Sequence, residues 1–337
     1  MAPLRSLGNI NSAFDDFYAR TGKDAVTPDP IDQPFSASGG SKFTLGGFTY
    51  HLFHTSGAFS VDGGSVDVDY FLLGGGGGGS CAGGGSGGCR SSFPNHPAPL
   101  RGSSVPLGPG PYAITIGAGG DGAPQTGGSS TSLGTAGGHS NIAFPTAIRV
   151  EGGGYGAFIA AGGDGGSGGG SGYGAPRAGG SANTPPQPGQ RGFGGGDGGN
   201  GPLYMGGGGG GLSQAGNPGQ ASPNPGQGGS GAAYPEIPGP GVYPLLPSPV
   251  QSAIGGTAWR DALGPTGLIG GGGGGGDNIS GSNGGSGGGG AGGGAYSDPP
   301  NIHAVTNTGS GGGGGGNDSV MRVSGNGSDG LCIIRYS

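Results

Sequence analysis

Alternation of apolar and polar residues is confined to a few short segments, most of them within residues 41–73. Segments 42–45 and 48–53 are separated by a Gly-Gly dipeptide, which is typical of a tight hairpin. In segment 65–70, valine and tyrosine alternate with serine and aspartate, which predicts a strand with one buried and one solvated face. The pattern predicts antiparallel β-structure over residues 35–73.

Two later segments, 111–117 and 330–337, are also rich in isoleucine and tyrosine. Residues of this type favour strands. We expect them to complete a small antiparallel β-sandwich with residues 35–73. Its buried apolar face would supply most of the hydrophobic free energy of folding.

Between residues 74 and 329 the amino-acid composition changes, and glycine becomes the commonest residue. The chain has 100 glycines among its 337 residues, and the longest runs are at 74–79, 206–211, 270–276, 287–290 and 311–316. No strict Gly-X-Y period holds, which excludes collagen. Ordering glycine costs more backbone entropy than ordering any other residue, so a folded structure must recover that cost through backbone hydrogen bonds and close packing.

An extended helix with three residues per turn has no internal hydrogen bonds. Buried peptide groups need partners, so such helices must lie side by side and bond laterally, and only glycine permits that approach on all sides. The fold class we predict is therefore mainly β and irregular. A sandwich continues into a bundle of packed polyglycine-II helices over residues 74–329, with the non-glycine segments as loops at its ends.

The first 34 residues differ from the rest of the chain. A short amphipathic helix is predicted there, followed by an extended linker, and its apolar face carries Ile10, Phe14, Phe17 and Tyr18. A single helix cannot bury its own apolar face. We interpret residues 1–34 as a segment that attaches the chain to a larger assembly.

Composition excludes several function classes. The net charge is −6 and basic residues are scattered, which argues against binding of nucleic acid. No apolar run is long enough to cross a membrane. The five histidines are dispersed, and no nucleotide-binding loop or zinc-ligand spacing is present, so we predict a non-enzymatic protein without catalytic residues, metal or cofactor. Cys81 and Cys89 flank a Gly/Ser loop and could form a disulfide; free thiols fit equally well.

The non-glycine segments hold most of the aromatic and large apolar residues outside the strands. Rigid aromatic anchors beside serine, asparagine and glycine are typical of recognition loops. The candidate recognition residues are Phe93, His96, Phe193, Tyr204, Tyr243, Leu245, Leu246, Trp259, Tyr296 and Ile302. The alternative for any one of them is packing against the glycine scaffold.

Three blocks occur in a familiar order. The opening block has Thr-Ser-Gly-Ala-Phe-Ser-Val at 55–61 and Val-Asp-Val at 66–68 leading into 74–79; a Gly/Pro/Ile block follows at 108–120, and the closing strand lies at 330–336. Over residues 40–337 the chain resembles the glycine-rich domains of phage tail-fibre and adhesin proteins. The distal adhesins of T-even-type phages share this texture, with receptor-binding loops between polyglycine-II motifs.

The resemblance implies a virion tail protein that binds other tail proteins through residues 1–34. It further implies a homo-oligomer that is made in the host cytoplasm, is released by lysis, and binds a protein or polysaccharide receptor on the host surface. The alternative is an extracellular structural or filament-forming glycine-rich protein.

Overall fold

The computed structural model of the chain describes residues 35–94, 101–124, 126–127, 132–173, 177–199, 205–220, 225–294, 299–316 and 320–337. The predicted attachment helix, with Ile10, Phe14, Phe17 and Tyr18, lies outside the described residues.

Two antiparallel sheets form a sandwich. The first sheet has the order β1 (Ser36–Ser38), β4 (Gly57–Gly63), β8 (Gly110–Thr115), β10 (Ser140–Ile142) and β11 (Ile148–Val150). The second has the order β2 (Ser41–Leu45), β3 (Phe48–Phe53), β15 (Leu331–Tyr336), β5 (Val66–Leu73) and β6 (Cys89–Ser91), and β7 (Val105–Leu107) also pairs with β5. Two short ladders lie elsewhere, β9 (Thr126–Gly127) with β14 (Val320–Met321) and β12 (Ala232–Ala233) with β13 (Leu268–Ile269).

The C-terminal strand β15 occupies the centre of the second sheet, between β3 and β5. All six of its residues are buried. Successive side chains enter opposite cores, with Ile333 on one face and Cys332 and Ile334 on the other. Burial on both faces explains why this strand reads as a nearly continuous apolar run.

One core fills the space between the two sheets, where Phe59 and Ile114 of the first sheet pack with Val68 and Ile334 of the second. A second core covers the outer face of the second sheet. There Phe71 and Ile333 contact residues 232–269, which include the fully buried Trp259.

Residues 232–268, expected to be an irregular loop, instead contain three short helices and two 3₁₀ turns. These are α1 (Gly239–Val242), α2 (Ser248–Ala253), α3 (Thr257–Leu263), and the turns Tyr243–Leu245 and Gly264–Thr266. We call this segment the helical cap. Proline occupies the first turn of four of these five elements, where its missing N–H has no cost. A proline-rich segment can therefore be helical.

The glycine run at 74–79 shows how the rest of the chain is ordered. Its N–H groups donate to three neighbouring segments in strict rotation. The pairs are Gly74 with Gly88, Gly77 with Gly85, Gly75 with Gly138, Gly78 with Thr135, Gly76 with Ser328, and Gly79 with Gly325, at 2.8–3.0 Å. Every third residue bonds the same neighbour, as a helix with three residues per turn requires. Partner numbers fall as donor numbers rise, so the three neighbours run antiparallel.

The carbonyl groups of the same run accept from three further segments. The pairs are Gly120 with Gly76, Ala123 with Gly79, Gly153 with Gly75, Gly156 with Gly78, Gly312 with Gly77, and Gly315 with Ser80, at 2.5–3.0 Å. These neighbours run parallel to the run. It is thus held on six sides, and the donors of run 206–211 rotate among three neighbours in the same way. The glycine region is a lattice of polyglycine-II helices, and the predicted fold class is confirmed.

Close approach explains why the lattice positions are glycine. A Cβ atom added to Gly76 would lie 1.9 Å from the carbonyl oxygen of Ser310, and one on Gly77 would lie 2.2 Å from that of Gly154. Both distances are far inside van der Waals contact. Where serine replaces glycine, its hydroxyl finds a partner, as between Ser86 and Ser167 at 2.9 Å.

Candidate functional site

Because glycine runs of both directions pack together, the segments that connect one run to the next lie at the two ends of the lattice. We call the end where Gly74 leaves β5 the proximal end, and the end where the run reaches Ser80 the distal end. The Ser80 hydroxyl donates to the carbonyl of Ser132 at 2.6 Å, and its own carbonyl accepts from the Ser324 hydroxyl at 2.7 Å. Gly276 N–H donates to the carbonyl of the adjacent Cys81. Three separate connections therefore meet at the distal end, opposite the sandwich.

Exposed apolar side chains are concentrated at the distal end. Of the five large hydrophobic residues exposed in the described part of the chain, three lie there: Leu133 (39%), Ile279 (56%) and Val323 (44%). Beside them, Phe158 and the half-buried Tyr173 make an edge-to-face pair with ring centroids 5.3 Å apart. Among the described residues, the distal end thus carries most of the large apolar side chains that are exposed to solvent.

A buried carboxylate shapes one distal turn. Asp277 is fully buried, and its Oδ1 accepts the N–H of Ile279 at 2.6 Å and that of Ser280. Burial, with a smaller contribution from Asp277, raises the pKa of the Cys81 thiol to about 12. Among the described residues, no group of three histidine, cysteine, aspartate or glutamate side chains could hold a metal ion.

The candidate recognition residues divide into three groups. Phe193 and Leu245 are exposed and Tyr243 is half-buried, so these three are available to a partner. The prediction is wrong for Phe93, Leu246, Trp259 and Ile302, which are buried. His96, Tyr204 and Tyr296 lie outside the described residues.

The buried residues have structural contacts that account for them. The Phe93 ring stacks with Phe71 and lies 4.4 Å from the Arg335 guanidinium. Trp259 Nε1 donates to the carbonyl of Asn307 at 3.3 Å, inside the core between sheet and helical cap. These aromatic residues hold the helical cap and the loop after β6 onto the sandwich.

A groove on the helical cap brings Tyr243, a candidate recognition residue, together with residues that the sequence did not single out. It has a volume of about 680 Å³ and is lined by Pro240, Tyr243, Pro244, Gln251, Arg260 and Asp261. Arg260 Nε donates to Asp261 Oδ1 at 2.8 Å and Nη2 lies 2.8 Å from the same oxygen; the hydrogen bond, followed by the charge of Asp261, raises the pKa of Arg260. The one sequence signal for this groove is the adjacent Arg260-Asp261 pair, because charged residues are rare in this chain.

Cys81 and Cys89 are not joined by a disulfide, so the disulfide alternative is wrong. Cys81 ends one lattice helix at the distal end, while Cys89 begins β6 at the proximal end. The extended run between them spans roughly 25 Å at about 3.1 Å per residue, whereas a disulfide needs Cα atoms within about 7 Å. The Cys89 sulfur instead lies 3.0 Å from the Tyr234 hydroxyl.

No helix in the described part of the chain has the length and apolarity to cross a membrane. A search of curated proteins found no match. A family model described as a glycine-rich domain matches residues 54–337, which covers the lattice and the strands of the sandwich from β4 onwards. The chain therefore belongs to the glycine-rich domain family.

Proposed function

We propose that this protein is a non-enzymatic phage virion protein of the tail-fibre or adhesin type, which binds a receptor on the host cell surface. The observation that carries the proposal is the distal end of the lattice. Connections between rods converge there, and three exposed apolar residues, Leu133, Ile279 and Val323, lie on them. Recognition residues are often placed on loops that a rigid scaffold positions.

The lattice suits this role because its peptide groups are fixed from six sides. Loops held by such rods lose little further freedom when a partner binds, and preorganisation of this kind improves affinity. Exposed apolar patches rimmed by polar residues often mark interaction sites. A glycine lattice therefore supports a recognition surface without a large hydrophobic core beneath it.

The remaining parts of the proposal follow from the resemblance to tail-fibre and adhesin proteins. Residues 1–34 attach the chain to other virion tail proteins, and copies of the chain assemble as a homo-oligomer. The protein is made in the host cytoplasm and released by lysis.

The second candidate is an extracellular structural or filament-forming protein. The observation that favours it is the outer run 193–199, which is partly exposed. Peptide groups on such a run could bond laterally to a second copy and extend the lattice. Light scattering of the purified full chain over a concentration series separates the candidates, because a filament former grows without limit whereas an adhesin stops at a fixed oligomer.

The direct test is binding of the purified, labelled full chain to a panel of bacterial cells, with blocking of phage adsorption as the second readout. We expect the triple variant Leu133→Ser, Ile279→Ser, Val323→Ser to lose at least about tenfold in cell binding. The matched control is Phe193→Ser, which removes an equally exposed apolar residue near the proximal end and should bind as the natural chain does.

A chain that lacks residues 1–34 should still bind cells and fail to enter virions. Absence of cell binding at micromolar concentration across the panel contradicts the proposal. An equal loss of cell binding in the triple variant and in the Phe193→Ser control would show that the receptor-binding site is not at the distal end.

A further inference from the structure

We infer that the groove on the helical cap is a saccharide-binding site. It lies on the proximal side of the molecule, against the second sheet of the sandwich, and is separate from the distal end. The inference deepens the proposed function and rests on it for the class of ligand, a saccharide of the bacterial surface. A groove of about 680 Å³ falls within the usual range for small-molecule sites and accommodates one or two sugar rings.

One wall of the groove is apolar and stiff. Tyr243 is half-buried and its ring packs against the core beneath the helical cap, so its position is fixed. Pro240 and Pro244 flank it, both exposed, with backbone torsions that the pyrrolidine ring restricts. A flat tyrosine face between two prolines fits the C–H face of a pyranose ring and loses little entropy when it binds one.

The opposite wall is polar and combines donors with acceptors. The hydrogen bond of this ion pair runs from Arg260 Nε to Asp261 Oδ1, and Nη2 lies 2.8 Å from the same oxygen. Within the described part of the chain, no hydrogen bond engages the other carboxylate oxygen or Arg260 Nη1. A planar carboxylate beside a planar guanidinium can bind two neighbouring hydroxyl groups, one as donor and one as acceptor. Vicinal hydroxyls on a sugar ring present that pattern.

A third polar group is already oriented. Gln251 Nε2 donates to the carbonyl of Leu246 at 2.8 Å, which fixes the side-chain amide. Its Oε1 remains available as an acceptor at the groove. The ion pair leaves the site with no net charge, which favours a neutral hydroxylated ligand over a phosphate or carboxylate. Tyrosine and proline also line grooves that bind proline-rich peptides, but those sites do not need a carboxylate–guanidinium pair.

The test begins with the full chain on an array of bacterial surface polysaccharides, followed by calorimetric titration with the repeat-unit oligosaccharide of the strongest ligand. We expect Tyr243→Ala and Asp261→Asn each to weaken binding by about tenfold or more, because the first removes the aromatic face and the second replaces a carboxylate acceptor by an amide donor. Leu245→Ala is the matched control. Leu245 is exposed on the same 3₁₀ turn but does not line the groove, and its variant should bind normally.

Both substituted side chains are at least partly exposed, so the variants should fold, and their thermal unfolding midpoints check this. Failure of the natural chain to bind any arrayed polysaccharide, or equal binding by all variants, would overturn the inference. So would a proline-rich peptide that binds with Tyr243 dependence and displaces the oligosaccharide. Oligosaccharide binding that survives in the distal triple variant supports the groove even if that chain no longer binds cells, so the two proposals fail separately.

Discussion

The sandwich and the glycine lattice exclude water by opposite means. In the sandwich, side chains such as Phe59 and Ile114 fill the space between the sheets. In the lattice, run 74–79 has no side chains, and its neighbours approach until peptide groups bond directly. The sandwich therefore obtains its stability mainly from apolar area, and the lattice mainly from hydrogen bonds and backbone packing. The sandwich should therefore tolerate added side-chain volume better than lost side-chain volume. The lattice should tolerate no added side-chain volume at all.

The largest effect is expected when a side chain is added to a central rod. Gly77→Val places carbon atoms against the Gly154 carbonyl, and neither rod can move because each is bonded on several sides. We expect a loss of more than about 4 kcal/mol in the free energy of unfolding, or failure to fold. Urea titration followed by circular dichroism measures this.

The matched control is Gly108→Val, since a Cβ atom at Gly108 would meet nothing within 4 Å. It should change stability by less than about 0.5 kcal/mol. A loss below about 1 kcal/mol for Gly77→Val would show that the lattice is loosely packed, and the contrast with the sandwich would disappear.

The opposite substitution tests the sandwich. Phe59 is fully buried between the sheets, and its ring meets His51 edge-to-face at 5.1 Å. Phe59→Ala leaves a cavity and should lower the free energy of unfolding by about 3–4 kcal/mol. Phe193→Ala removes the same group from an exposed position and should have almost no effect. Similar losses for both variants in urea titration would mean that the inter-sheet core is not close-packed.

The strands of the sandwich follow from alternation, and the lateral bonding of the rods follows from the needs of a bare backbone. The neighbours of each rod could not be predicted, because glycine runs are chemically identical and carry no register information. For that reason the distal end, where Ser132 and Ser324 both hydrogen-bond to Ser80, could not be foreseen.

The helical cap was missed for a different reason. Its helices have only four to seven residues, and two of the three have a proline in the first turn, so no helical period is long enough to detect. The burial of Trp259 and Phe93 depends on that cap and on the outer face of the second sheet. Tyr243 could be named from the sequence, but the groove around it could not, since its polar residues come from α2 and α3 and its apolar residues from α1 and the turn after it.

A smaller effect, confined to the sandwich, is expected from pH. His51 is buried, with Nδ1 2.7 Å from the Gly39 carbonyl and Nε2 3.3 Å from the Tyr336 hydroxyl. Burial lowers its pKa, and the nearby Lys42 adds to this; burial also lowers the pKa of His54. The unfolded chain therefore binds protons first, and stability should fall as pH drops below about 6.5.

The free energy of unfolding cannot change by more than about 1.4 kcal/mol per pH unit for each proton taken up on unfolding. His51→Gln should flatten the pH dependence, measured as the free energy of unfolding from pH 8 to pH 5. An unchanged slope in His51→Gln would contradict this prediction and assign the dependence to His54, whose pKa burial also lowers.

The smallest expected difference between the lattice and the sandwich is in how fast a buried cysteine of each becomes exposed by local unfolding. Cys81 lies at the distal end of the lattice and Cys332 in the centre of the sandwich, and both thiols are fully buried. Burial raises the pKa of each, so neither reacts until local opening exposes it to water. We expect Cys81 to be labelled faster by iodoacetamide, because a rod can separate at its distal tip by breaking a few hydrogen bonds. Cys332 can open only when β3 and β5 leave β15, which exposes both hydrophobic cores. Peptide mass mapping over time measures the two rates, and equal rates would mean that sandwich and lattice unfold as one cooperative unit.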